Sequence, residues 1–227
     1  MDVDAVLFDL DGTLLEYERP PAETLAAAFE AAGVDPFFEV DAYYDRFGAF
    51  VEDAPALASF RRAVFEDVAA AHDRDTAVGR RLAEAYASVA DPRAVRLRPG
   101  AADAVATLRG THALGLATNG PREFQAPKLE ATGLDGAFET AVYAGWETRA
   151  KPDPEPFERA VAALGVAPDR AVVVGDDPAT DVAGARATGC RAVLVSDTPT
   201  DGRGPAPDAV VASLPALVAR LSPDRRA

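Results

Sequence analysis

Cysteine, lysine and histidine are scarce in this chain of 227 residues, and each scarcity excludes a kind of chemistry. The single cysteine, Cys190, rules out an internal disulfide, and no Cys or His spacing resembles a metal site. Because Cys190 lies in "GCRAVLV", which is typical of the entrance to a buried strand, we expect a small hydrophobic residue rather than a nucleophile. His72 and His112 have no spacing that indicates ligation, and we expect ordinary surface or strand-edge positions for both.

Long apolar runs are also missing, so no segment is expected to cross a bilayer as a helix. The N-terminal "MDVDAVLFDLDGT" is acidic and has only a short apolar run, which is unlike a signal peptide. We therefore expect a cytoplasmic protein.

Positive charge is in short supply as well: 23 Lys and Arg residues stand against 37 Asp and Glu residues, for a formal net charge of -14. Such a surface repels nucleic acid and anionic membranes, so we expect neither as a partner. The acidic residues are dispersed along the chain, and only two of its basic residues are lysines. We interpret this composition as adaptation to high salt, a halophilic surface, rather than as a docking face for a basic partner.

Short apolar runs and helical stretches alternate regularly from about residue 100 onward. The runs that predict strands lie at residues 5–9, 112–119, 139–144, 170–177 and 191–196. Several of the helical stretches between them end in glycine, which readily adopts the left-handed conformation of a helix C-terminus. The alternation predicts an α/β fold, with a Rossmann-like parallel sheet and helices on both of its faces.

One segment breaks this rhythm. Residues 17–92 show helical periodicity without convincing strands, as in "PPAETLAAAFEAAG". We therefore expect a discontinuous α/β core, residues 1–16 and 93–227, with a small all-α domain inserted after its first strand. The aromatic residues of segment 36–50 are expected to form the core of this insertion.

Polar side chains follow the ends of the predicted strands, and one lysine precedes a predicted helix. Because the carboxyl ends of parallel strands meet at one edge of a sheet, we expect these side chains to converge there. They are Asp9, Asp11, Thr118, Asn119, Lys151, Asp176 and Asp177.

So many carboxylates in one place require a cation, since like charges raise one another's pKa and resist burial. Mg²⁺ suits such a site because it prefers oxygen ligands from carboxylates, waters and a substrate phosphate. Lys151 is one of only two lysines in a chain with 21 arginines. A compact ammonium fits a confined position between carboxylates and phosphate better than a flat guanidinium does.

Four segments, in order, resemble the signature motifs of the haloacid dehalogenase (HAD) superfamily: "DLDGTLL", "ATN", "AKPDPEPF" and "VGDDPATDVAGARATG". The resemblance covers the core, and the helical insertion, residues 17–92, matches the family's cap domain by position and character. The segment "TNGPREFQAPKLEATGLDGAF" is similar to the branch that includes nucleotide and acylneuraminate phosphatases, with phosphoglycolate phosphatases as near relatives.

The resemblance implies that Asp9 is the nucleophile and becomes an aspartyl phosphate. Asp11 would protonate the leaving oxygen and then activate the water that releases phosphate. Mg²⁺ would be held by the carboxylates of Asp9 and Asp176 and by the backbone carbonyl of Asp11.

The same resemblance assigns phosphate binding to Thr118 and to the backbone around Asn119. Lys151 would neutralise the nucleophile and the incoming phosphate. Asp177 and Asp181 would support the metal or the lysine without being ligands themselves.

Alternatives within and outside the superfamily remain. A 2-haloacid dehalogenase is disfavoured because that branch lacks the acid at Asp11, and a phosphonatase because both Lys128 and Lys151 lie outside the insertion. A sugar-phosphate mutase shares all four motifs and stays open. A phospho-accepting receiver-like signalling module would place its acidic pair first and be about half as long.

We therefore predict a Mg²⁺-dependent phosphomonoester hydrolase that acts on a small phosphorylated metabolite, as a monomer or homodimer. A nucleotide, phosphoglycolate and a sugar phosphate are all compatible with the sequence as that metabolite.

Overall fold

Two structural units make up the protein. The computed structural model describes residues 1–51, 54–198 and 204–222. The first unit comprises Met1–Glu16 and Arg96–Ala227, and the second comprises Tyr17–Val95.

Buried apolar runs form most of the strands. In chain order the strands are β1 (Ala5–Phe8), β2 (Leu15–Tyr17), β3 (Val95–Leu97), β4 (Ala113–Asn119), β5 (Thr140–Ala144), β6 (Ala171–Gly175), β7 (Arg191–Val195) and β8 (Ala209–Val211). Six of them form one sheet in the order β5-β4-β1-β6-β7-β8, and every neighbouring pair is parallel. Strands β2 and β3 pair with each other in a separate two-stranded sheet.

The register of this sheet places the ends of β1, β4 and β6 at one edge. Phe8 lies opposite Leu116 of β4 and Val174 of β6, so the residues that follow each strand emerge side by side. The five predicted strands and the parallel α/β sheet are thereby confirmed. Strands β2, β3 and β8, which have three residues each, were not predicted. The sequence before β8, residues 198–208, is rich in turn-forming residues and predicts a loop, of which residues 199–203 lie outside the described residues.

Helices account for most of the remaining structure. They are α1 (Pro21–Ala32), α2 (Val40–Tyr44), α3 (Phe47–Phe50), α4 (Leu57–Ala71), α5 (Thr76–Val89), α6 (Ala101–Arg109), α7 (Arg122–Thr132), α8 (Glu155–Leu164), α9 (Ala183–Thr188) and α10 (Leu214–Leu221). Among the described residues, none of these helices is long and apolar enough to cross a membrane.

Helix α8 shows why the helices pack on the sheet. Its residues Phe157, Ala160 and Val161 recur at the spacing of one helix face and are buried against Leu7 and Val173 of the sheet. The helix ends where Gly165 adopts the left-handed conformation, at φ 69°. Helices α6 and α10 contact each other, and they also contact strands β4 and β8 of the sheet, respectively.

Cys190 is part of this core. It is buried at the start of β7, and burial raises the pKa of its thiol to about 11. Its position in the core agrees with the small hydrophobic residue that the sequence predicts.

The second unit is helical and is held together by aromatic side chains. The ring centroids of Phe29 and Phe38 lie 5.1 Å apart. The ring centroid of Tyr43 lies 5.2 Å from that of Phe65 and 5.8 Å from that of Tyr86. The expected aromatic core is confirmed in part: within segment 36–50 Tyr43 is buried, the phenylalanines are partly buried, and Tyr44 is exposed.

Candidate active site

The loop after β1 brings two aspartates to the edge of the sheet. Asp9 is buried and its backbone amide donates to the carbonyl of Val174, which continues the pairing of β1 with β6. Gly12 then adopts a left-handed conformation, at φ 83°, and a Cβ atom at this position would overlap the carboxylate of Asp176. Glycine is therefore required here for both the turn and the close approach of the two loops.

Lys151 lies between two carboxylates. Its Nζ donates to Oδ1 of Asp9 and to Oδ1 of Asp181, each at 2.6 Å, and only 2% of its side chain is exposed. Burial alone acts to lower the pKa of Lys151, but the carboxylates of Asp181 and Asp9 outweigh it and raise that pKa above its usual value. Lys151 is therefore a fixed positive charge in the site.

Asn119 holds the backbone of Lys151 in place. Its side-chain Oδ1 accepts from the amide of Lys151 at 2.9 Å, and its Nδ2 donates to the carbonyl of Lys151 at 3.3 Å. The side chain of Asn119 thus links the end of β4 to the loop that carries the lysine.

Three carboxylates form a cluster around this lysine. One oxygen atom from each of Asp9, Asp176 and Asp181 lies within 4.8 Å of the others. Burial raises the pKa of Asp9 to about 8, and the neighbouring carboxylates add to this while Lys151 opposes it. Burial and the carboxylate of Asp181 raise the pKa of Asp176 to about 6, against a hydrogen bond at 2.9 Å from the hydroxyl of Thr13.

The donor set of this cluster fits a hard divalent cation. All three donors are carboxylate oxygens, and Mg²⁺ prefers such ligands. Burial raises the pKa values of Asp9 and Asp176, and neighbouring carboxylates add to this, so a cation would offset charge that is costly to bury here. These residues could therefore hold Mg²⁺.

Asp11 is bound by two residues of α7 to which the sequence analysis assigned no role. Lys128 Nζ lies 2.7 Å from both Oδ1 and Oδ2 of Asp11, and Gln125 Nε2 donates to Oδ2 at 2.9 Å. Two signals in the sequence could have found them: Lys128 is the second of only two lysines, and a spacing of three places both residues on one helix face.

Thr118 and Asp177 differ in what their side chains contact. Thr118 is buried at the end of β4, and its hydroxyl accepts from Gln125 Nε2 at 2.8 Å. The carboxylate of Asp177 accepts from the amide of Ala179 at 2.8 Å and from the hydroxyl of Thr180 at 3.0 Å. Asp177 thus caps the π-helical turn Pro178–Val182, with which the helical stretch predicted before β7 begins.

The structure therefore brings together most of the residues singled out in the sequence. Lys151 joins Asp9 and Asp181, with Asp176 beside them; Asp11 and Thr118 are linked through Gln125. Asp177 contributes its backbone amide, which donates to Oδ2 of Asp181 at 3.2 Å.

Known proteins resemble this chain over nearly its whole length. A family model described as haloacid dehalogenase-like hydrolase matches residues 3–189. The chain is 35% identical to phosphoserine phosphatase of Thermus thermophilus, over 84% of this chain and 87% of the relative. It is 33% identical to the plasmid phosphoglycolate phosphatase of Cupriavidus necator, over 98% of this chain and 95% of the relative. A crystal structure of a HAD phosphatase from Thermococcus onnurineus matches with a TM-score of 0.63 and 28% identity, over 96% and 97%.

The chain belongs to the haloacid dehalogenase-like hydrolases, as the four motifs indicated. Within that family it is an enzyme of the phosphoric monoester hydrolase class.

Proposed function

We propose that this enzyme is a Mg²⁺-dependent phosphatase that hydrolyses a small phosphorylated metabolite through a phosphorylated Asp9. One observation carries the proposal: a buried lysine ammonium binds Asp9 at 2.6 Å inside a cluster of three carboxylates. Such an arrangement provides a nucleophile, a fixed positive charge for the phosphoryl group and oxygen ligands for a cation.

In the first step an oxygen of Asp9 attacks the phosphorus atom of the substrate. The bond between phosphorus and the substrate's bridging oxygen breaks, and the leaving oxygen takes a proton from Asp11. The products are a phosphorylated Asp9 and an alcohol.

In the second step water attacks the phosphorus atom of the phosphorylated Asp9. Asp11, now a carboxylate, takes a proton from this water. The bond between Asp9 and phosphorus breaks, inorganic phosphate leaves, and the carboxylate of Asp9 and the proton on Asp11 are both restored.

The metal would be held by the carboxylates of Asp9 and Asp176, with the backbone carbonyl of Asp11 as a further ligand. Asp181 lies within reach of the same cluster and also binds Lys151. When bound, Mg²⁺ supplies positive charge that offsets the carboxylates and the phosphoryl oxygens.

Phosphoryl oxygens would be bound by Lys151, by the hydroxyl of Thr118 and by the backbone around Asn119. Lys151 is fixed by its two carboxylate partners, so it requires little reorganisation when phosphate arrives. Asp177 would support the site by capping the turn that carries Asp181.

The names of the relatives suggest the first substrates to test. They are a phosphoserine phosphatase and a phosphoglycolate phosphatase, and the substrates in both names are small phosphomonoesters. The helical segment, residues 17–92, would serve as the family's cap domain and residues 1–16 and 93–227 as its core, and the cap domain would select among such substrates. The enzyme would act in the cytoplasm as a monomer or homodimer, and its net charge of -14 suits high salt and disfavours nucleic acid or membrane partners.

The test measures phosphate release from a panel of phosphomonoesters at high KCl, with and without Mg²⁺. Phosphoserine, phosphoglycolate, sugar phosphates and nucleotides form the panel, and Asp9→Asn is the matched variant. Release that requires both Mg²⁺ and Asp9 supports the proposal. Stable phosphorylation without release would instead indicate a mutase, and release by Asp9→Asn at the parent rate would exclude Asp9 as nucleophile.

A further inference from the structure

We propose that Lys128 and Gln125 are positioning residues that hold the carboxylate of Asp11 beside the phosphoryl site. The inference rests on the proposed function, in which Asp11 exchanges protons with the leaving oxygen and with water. Neither residue belongs to the four motifs, and both lie on α7.

Lys128 orients Asp11 rather than the reverse. Its side chain is 0% exposed, whereas that of Asp11 is 26% exposed, so the ammonium is held by packing and the carboxylate has room to move. The ring of Phe124 lies 4.5 Å from Nζ and contributes to this packing. Nζ contacts both carboxylate oxygens at 2.7 Å, which fixes the rotation of the carboxylate as well as its position.

Gln125 connects Asp11 to the predicted phosphate-binding residues. Its Nε2 lies 2.9 Å from Oδ2 of Asp11, 2.8 Å from Oγ1 of Thr118 and 3.0 Å from the carbonyl oxygen of Asn119. The side chain is 1% exposed, so this bridge is enclosed by protein. One nitrogen therefore sets the carboxylate of Asp11 next to the hydroxyl that would bind a phosphoryl oxygen.

The distribution of lysine supports this assignment. The chain has two lysines, and each binds one aspartate of "DLD": Lys151 binds Asp9 and Lys128 binds Asp11. Every other basic side chain apart from the two histidines is arginine. Both lysines are buried, where a compact ammonium can bind both oxygens of one carboxylate or bridge two carboxylates.

The inference predicts an effect that depends on the leaving group. An alkyl phosphate has a poor leaving oxygen and needs the proton from a well-placed Asp11. p-Nitrophenyl phosphate has a good leaving group and needs that proton far less. Loss of Lys128 should therefore slow phosphoryl transfer from the first substrate and spare transfer from the second.

The experiment compares Lys128→Met with the parent enzyme in Mg²⁺, using an alkyl phosphate that the parent hydrolyses and p-nitrophenyl phosphate. The measured quantity is kcat/KM, because it reports the transfer to Asp9 and not the later hydrolysis. We expect a loss of about 10- to 100-fold for the alkyl phosphate and of less than about threefold for p-nitrophenyl phosphate, since general acids contribute roughly 10² to 10⁴-fold. Arg109→Met, which removes an exposed positive charge at the end of α6, should change neither value.

A second comparison separates positioning from a merely structural role. In an Asp11→Asn background, Lys128→Met should cause little further loss on the alkyl phosphate, because the group that it positions is already disabled. Equal losses on both substrates, or a full additional loss in that background, would overturn the inference. If Lys128→Met does not fold, as judged by circular dichroism, Gln125→Met provides the same leaving-group comparison.

Failure of this inference and failure of the proposed function give different results. Uniform losses in the Lys128 and Gln125 variants, with a parent enzyme that still requires Asp9, would remove only the positioning role. A parent enzyme that releases no phosphate from any substrate would remove both.

Discussion

Replacing Lys151 by methionine should destabilise the protein strongly in the absence of a divalent cation. The substitution keeps a long side chain of similar volume but deletes an ammonium whose side chain is only 2% exposed. Asp9 and Asp181 would then lose the hydrogen bonds at 2.6 Å that now offset their charge. They would also remain within 4.8 Å of each other and of Asp176.

The expected magnitude follows from the burial of the site. Removing one partner of a buried ion pair costs about 3–5 kcal/mol, because the remaining charge is left without compensation. In a protein of about this length, 1 kcal/mol shifts Tm by roughly 2–4 °C, so Lys151→Met should lower Tm by about 6–20 °C.

Thermal unfolding followed by circular dichroism measures this effect, in EDTA at high KCl and about pH 9, which lies above the pKa of about 8 that burial gives Asp9. The matched control is the double variant Lys151→Met/Asp181→Asn, which removes one carboxylate together with the ammonium. We expect the control to recover at least half of the lost stability. Added Mg²⁺ should recover part of it in the single variant, because the cation offsets the same carboxylates.

Two results would refute this reasoning. A Tm within about 2 °C of the parent in EDTA would mean that the carboxylates do not depend on the ammonium. A double variant no more stable than Lys151→Met would mean that repulsion between the carboxylates is not the cause.

Four further predictions concern the same site. Asp9→Asn should abolish phosphate release yet leave a folded protein by circular dichroism, and measurable turnover would remove Asp9 as nucleophile. Lys151→Arg should lose at least about 10-fold in kcat, because a longer, planar guanidinium does not fit where one nitrogen binds two carboxylates. A kcat near that of the parent would refute the inference that this position requires the compact ammonium of lysine. Gly12→Ala should lower Tm by several degrees and weaken Mg²⁺ binding, because residue 12 has a positive φ and the Cβ of alanine would overlap the carboxylate of Asp176. An unchanged affinity for Mg²⁺ in calorimetric titration would contradict this prediction. The pKa of Asp9 is about 8 in the folded protein and about 4 when unfolded, so its contribution to stability in EDTA falls as pH rises from about 4 to about 8. Denaturant titrations should therefore show the Asp9→Asn variant gaining stability relative to the parent across that range. A stability difference that does not change with pH would contradict the raised pKa.

The larger architecture could be predicted because its signals are local. A parallel strand buried on both faces requires a contiguous apolar run, and "AVLF", "AVVVG" and "RAVLV" each provide one. The strand β8 was missed because only three residues form it, and Val210 in its centre is half exposed. A run that short has no periodicity that distinguishes a strand from a loop.

The residues that form the candidate site could be predicted more readily than the contacts between them. Acids that follow strand ends must meet at one edge of a parallel sheet, so Asp9, Asp11 and Asp176 were expected near one another. The sequence pattern did not indicate a role for Gln125 and Lys128 in the site, because they lie in the middle of a helix, where a polar residue is ordinarily part of a solvated face.

The sequence by itself determined which residues reach the edge of the sheet, because the order of apolar runs, turns and acids is written along the chain. Only the tertiary structure decided which aspartate binds which lysine. Asp177 and Asp181 are four residues apart, yet one caps a turn and the other binds Lys151, since the π-helical turn between them sets their directions. Lys128 meets Asp11 across 117 residues of sequence, and that contact exists only because α7 packs beside the loop after β1. Burial then raises the pKa of Asp9, a property of the folded surroundings that its neighbours in the sequence do not carry.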